Sequence, residues 1–215
     1  KFKKKNIQTT VVTGLPNYPK GEIFRKYQKI ISIKKENFNG VDIIRIPIIP
    51  RKQGKFHQLI FNYLSYLISG FYFLRKVNFS NLFDHIFVYS TSPITTALLG
   101  IFLKKKLNKK MTIWIQDLWP DSVKNTGYIK NNFLIYLISV IVKYNYKNSD
   151  NIIAQSKAFK KNISKYTNKK IKIVENSHFN IQKKKINIPN EIKYLLKKKY
   201  SITISGKIGK KQKIK

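Results

Sequence analysis

Short apolar runs alternate with longer segments of helical period along this chain. Gln8 to Thr13, Val41 to Ile46, His85 to Tyr89, Thr112 to Ile115, Asn151 to Ala154 and Lys170 to Val174 each read as a strand, rich in β-branched residues. Between them the pattern predicts helices over Phe56 to Leu74, from about Ile94 to Lys105, over Phe133 to Tyr146, and after Gln155-Ser156. Such alternation predicts an α/β fold whose parallel sheet is covered on both faces.

Phe56 to Leu74 is the longest apolar segment, and its polar residues are ordered. Gln58, Asn62, Ser65 and Ser69 fall at i, i+4, i+7 and i+11, one narrow stripe on a helix. Gln58, Asn62 and His57 make it a poor spanning helix. Two readings remain: a sheet-covering helix, or a helix lying at a membrane surface with Arg51, Lys52, Lys55, Arg75 and Lys76 at its ends.

The strand Thr112 to Ile115 breaks abruptly into Gln116, Asp117, Leu118, Trp119, Pro120 and Asp121. Pro120 suits the first position of a following helix, with Asp121 and Ser122 in a first turn that favours negative charge and capping. A carboxylate, an amide and an indole thus converge at the C-terminal end of a strand, where open α/β sheets bind ligands. The plainer alternative is that Asp117 caps the next helix and Trp119 is core.

Composition narrows the chemistry. The 215 residues hold no cysteine, which excludes disulfides and thiolate metal sites, and the three histidines (His57, His85, His178) lack ligand spacing. The net charge of +35 suggests a polyanion partner. Arginine, which base readout and bidentate phosphate contacts favour, occurs only at positions 25, 45, 51 and 75. The lysines are spread along the chain with abundant Asn and Ile. Compositional bias and affinity for anionic surfaces therefore account for the charge better than nucleic acid does.

A helix-like segment at Asn187 to Tyr200 precedes a strand, Ser201 to Ser205, and the loop Gly206-Lys207-Ile208-Gly209. A strand running into Gly-x-x-Gly lets backbone amides approach a phosphate.

Several of these loops together resemble the retaining GT-B glycosyltransferases of family 4, in particular bacterial enzymes of colanic-acid, O-antigen or capsule assembly, including fucosamine transferases. The matching pieces are TGLPNYPKGEIF, NYLSY, YSTSP, QDLWPDSVKNTGYI, AQS at Ala154 to Ser156, VEN at Val174 to Asn176, and SGKIGKKQ, in the family's order over nearly the whole chain. The resemblance implies two Rossmann-like domains: residues 1–185 as the acceptor-side domain, and 186–215 as a linker helix and the start of a donor-binding domain. It implies transfer of a sugar from a nucleotide-sugar donor to a lipid-linked acceptor at the inner face of the cell membrane, without a metal or other cofactor. Asn17, Tyr18 and Pro19 would line the acceptor side, with Trp119 stacking on or walling the sugar site. Gln116 and Asp117 would form the catalytic floor of the cleft, and Gly206 and Gly209 would admit the donor diphosphate. The segment Phe56 to Lys76 would face the membrane.

Departures from the family set a second expectation. Its opening strand, Gly-containing loop and helix are missing, as is the acidic donor motif of its second domain. The chain therefore reads as a fragment, inactive by itself. The alternative to a transferase is a non-catalytic truncated remnant or a basic protein that binds membranes or polyanions.

Overall fold

The computed structural model describes residues 7–79, 83–125, 127, 129, 131–176 and 189–196. The residues group into two compact units, 1–174 and 175–215. In the second, the described structure includes helix α6 (Asn190–Leu196). The strand expected at Ser201 to Ser205, and with it Gly206 and Gly209, lies outside the described residues.

The first unit contains two sheets. Strands β1 (Thr10–Gly14), β2 (Lys34–Phe38) and β3 (Val41–Ile46) form one sheet in the order β1-β3-β2, with β1 parallel and β2 antiparallel to β3. Strand β2 was not foreseen, because KKENF is too polar to read as an apolar run. Its signal lay in the next two residues. Asn39 and Gly40 both adopt positive φ (51° and 78°), which a tight hairpin favours and which Asn-Gly supplies. Glu36 closes the hairpin by pairing with Arg45 across the strands.

Helix α1 (Phe56–Lys76) leads to the second sheet, which is wholly parallel. Its strands β4 (His85–Ser90), β5 (Lys110–Ile115), β6 (Asn151–Ala154) and β7 (Ile171–Ile173) lie in chain order. They are joined by α2 (Thr96–Leu107), the short α3 (Asp121–Asn125) with α4 (Asn132–Asn148), and α5 (Lys157–Ile163). A parallel sheet flanked by crossover helices is a Rossmann-like α/β architecture.

Strands stepping one way across a sheet, with right-handed crossovers, place every crossover helix on the same face. The core shows this. Ile86, Val88, Met111, Ile113, Ile115 and Ile152 point to one side, where Ile94, Ala97, Ile101, Val142, Tyr146 and Ile163 cover them. The opposite face carries Phe87, Tyr89 and Trp114 in edge-to-face contact, with Phe87 and Tyr89 exposed. The expected cover on both faces is therefore not found among the described residues of this unit: the helices that pack on the sheet, α2, α4 and α5, lie on one. Glycine sets the helix-to-sheet spacing. A Cβ on Gly100 of α2 would sit 2.3 Å from a Val88 methyl of β4.

Candidate functional site

The site follows from register. Ser90 pairs with Ile115 at the ends of β4 and β5, and the Gln116 amide continues the ladder by donating to the Ser90 carbonyl. Two residues beyond this paired end stand Ser92 in one loop and Asp117 in the other. Equal offsets from a parallel pair put these side chains together. Ser92 Oγ donates to Asp117 Oδ2 at 2.8 Å. Trp119 Nε1 donates to Ser92 Oγ at 2.9 Å and to Asp117 Oδ2 at 3.2 Å. The two donors converge on one carboxylate oxygen, which fixes the carboxylate and holds the indole plane in place.

The alternative role for Asp117 is thereby removed, because its side chain caps no helix. Trp119 packs against the edge of the core while its nitrogen serves the cluster. Pro120 stands one residue before α3, and its carbonyl accepts from Val123 and Lys124. Asp121 is in the first turn, but its carboxylate accepts from the Asn162 side chain of α5 rather than capping. Gln116 is half-buried, and its carbonyl accepts from Gln155.

The Leu15–Glu22 loop holds the other predicted site residues, Asn17, Tyr18 and Pro19. Buried Asn17 donates to the Leu15 carbonyl and accepts from Arg51 Nε at 3.0 Å, so it is a loop brace. The Arg51 guanidinium lies over the exposed Tyr18 ring, 5.1 Å from its centroid. Pro19 is exposed beside Tyr18. Gly21 is obligatory here. Its φ is +82°, its amide donates to the Asn17 carbonyl, its carbonyl accepts from Lys52, and a Cβ would lie 1.7 Å from the Lys52 carbonyl oxygen. The Gly14–Glu22 and Pro50–Gly54 loops are thus locked together.

Tyr63 of α1 relates this loop pair to the carboxylate. Burial pushes its phenol up, with the Arg51 charge pulling down and the Asp117 charge pushing up, so it lies within electrostatic reach of both. Its neighbour one turn on, Tyr66, is raised to about 12 by burial. Sequence reasoning placed Arg51 only among the basic residues flanking α1 and gave Tyr63 and Ser92 no individual role. Ser92 was findable, since it lies as far beyond β4 as Asp117 lies beyond β5. A cleft of about 640 Å³ opens on the far arm of the same loop, between Lys20, Glu22, Tyr27, Lys52 and Gln58, and is not lined by Asp117, Ser92 or Trp119. The hydrogen-bonded cluster, rather than this cleft, is the better candidate for chemistry because its groups are oriented.

The chain is thus an α/β protein with a polar cluster at the C-terminal edge of a parallel sheet. No protein-family model matches it, and no protein of curated function matches it in sequence.

Proposed function

We propose that this chain is the acceptor-side part of a glycosyltransferase. It would move a sugar from a nucleotide-sugar donor to a lipid-linked saccharide, held peripherally at the inner face of the cell membrane through α1, with no resident metal or cofactor. The observation that carries this reading is the Asp117 carboxylate, held on Oδ2 by Ser92 and Trp119 at the sheet edge where α/β proteins bind ligands. An acceptor hydroxyl must lose its proton as it attacks, and a fixed carboxylate beside it takes that proton. The immobilised indole offers a flat wall to a sugar ring, and the Tyr18–Arg51 stack offers a second polar edge. Gly206 and Gly209 are assigned to the donor diphosphate on the sequence resemblance alone.

The outward apolar stripe of α1 described below equally suits a non-catalytic membrane-binding protein. Replacing Asp117 by Asn in the native gene separates the two. A transferase loses about 100-fold or more of its polysaccharide product, while protein level and membrane attachment stay unchanged. Undiminished product with Asp117→Asn overturns the catalytic assignment.

A further inference from the structure

Helix α1 covers core with one face and leaves a second apolar stripe uncovered. Its inward face buries Gly70 and Leu74 and packs Tyr66 and Phe73 against Ile44 and Ile46 of β3. The same face carries Asn62, which donates to the Ile49 carbonyl at 2.6 Å, and Ser65, whose Oγ accepts from the Ile49 amide at 2.9 Å. The apolar residues Phe61, Leu64, Ile68 and Tyr72, spaced i, i+3, i+7 and i+11, turn outward, with Ile68 68% exposed.

Helix α4 repeats the arrangement. Val142, Asn145 and Tyr146 are buried, while Phe133, Tyr136, Leu137, Val140 and Tyr144 are exposed along one stripe, Phe133 to 65%. Both helices pack on α2. Phe71 of α1 meets Phe102 edge-to-face at 5.4 Å, and Asn145 Nδ2 of α4 reaches the carbonyl of Ile94, two residues before α2, at 3.0 Å. The two stripes therefore belong to helices joined through α2 in one layer.

Charge identifies the occupant. No acidic residue occurs anywhere in α1, α2 or α4, whereas Lys55, Arg75, Lys76, Lys143 and Lys147 border the stripes. A second copy would bring like charge against like charge in a chain of +35. An anionic bilayer surface matches both the apolar aromatic stripes and the basic border.

We infer that α1 and α4 together form one membrane-docking face that binds anionic lipid surfaces, with the α4 stripe entering the headgroup boundary beside that of α1. This extends the attachment assigned to α1 and stands whether or not the protein transfers sugar.

The absence of cysteine permits a direct test on the full chain. Single cysteines at Val140 (α4), Ile68 (α1) and Lys172 (the sheet face opposite the helices) are labelled with a polarity-sensitive dye and mixed with phosphatidylcholine vesicles containing about one third phosphatidylglycerol. Labels at positions 140 and 68 shift to the blue, that at 172 does not, and neutral vesicles give no shift. Separately, Phe133→Ser with Tyr136→Ser and Val140→Gln, all at exposed positions, weakens vesicle binding about tenfold or more with an unchanged melting temperature. A silent label at 140 with a responsive one at 68 overturns the α4 inference and leaves α1. Silence at both overturns the membrane face altogether. Self-association without lipid that the triple variant abolishes assigns the face to a second copy instead.

Discussion

At the scale of single residues, Asp150 has the most sharply defined electrostatics. Its Oδ2 accepts from the Met111 amide and from Lys104 Nζ, each at 2.7 Å. Burial pushes its carboxyl up, but the Lys104 and Met111 hydrogen bonds and the charges of Lys104 and Lys169 hold it below the ordinary value. A depressed folded value contributes stability above the unfolded value of about 3.9, and that stability is lost as pH falls through the lower folded value. Asp150→Asn should therefore cost about 1 kcal/mol at neutral pH, with the gap from wild type closing towards pH 2 in acid melting curves. A gap independent of pH would contradict the assignment. The same scale shows how far residues announce their roles. Asp117 and Trp119 stood out in the sequence as a carboxylate and an indole at a strand end. Arg51 and Tyr63 did not, because their contribution depends on α1 and the Pro50–Gly54 loop being brought over β3.

At the scale of elements, glycines set how closely a helix approaches its neighbour, α2 in the case of Gly70 and the sheet in the case of Gly100. Gly70 and Gly100 both sit where a Cβ would be crowded, by Leu99 at 2.5 Å and by Val88 at 2.3 Å respectively. Leu99 presents the end of a flexible side chain, whereas valine is stiff at χ1 and Met111 sulfur closes the other side. Alanine also gains about 1 kcal/mol of helix propensity over glycine. Gly70→Ala should then be close to neutral, and Gly100→Ala should destabilise by about 1–2 kcal/mol in chemical denaturation. Equal effects would mean that the sheet, not the side chain, yields. Helix α1 illustrates the limit of pattern reading at this scale. The period of Gln58, Asn62, Ser65 and Ser69 was legible, but which stripe faces inward was not. That choice depends on tertiary packing: Leu74 buries against β3 and Gly70 against Leu99 of α2, and on the same side Asn62 and Ser65 bond the Ile49 backbone.

At the scale of the whole molecule, part of the positive charge has structural uses. Lys106 donates to the carbonyls of Leu74, Arg75 and Val77 at the end of α1. Lys169 donates to those of Lys147 and Ser149 at the end of α4. Both meet the negative ends of helix dipoles. Only two ion pairs form among the described residues, so most of the charge repels itself. The melting temperature should rise by several degrees between about 0.02 M and 0.3 M sodium chloride, as screening shortens the reach of that repulsion. A fall would mean that the few attractive pairs dominate. The sheets are open at this scale too: among the described residues β1 pairs only with β3, and β4 only with β5.

The sequence by itself determined the elements of the parallel sheet, because apolar runs and helical periods are local properties that survive in isolation. It also marked the strand-end residues Gln116, Asp117 and Trp119, since an abrupt change from apolar to polar is visible without a fold. Only the tertiary structure decided that Ser92 meets Asp117, because this depends on the register of two strands separated in the chain. It alone decided which faces of α1 and α4 look outward, and that the helices packed on the parallel sheet share one of its faces. Those outcomes follow from the handedness of successive crossovers and from packing between segments distant in the chain, and no single segment carries that information.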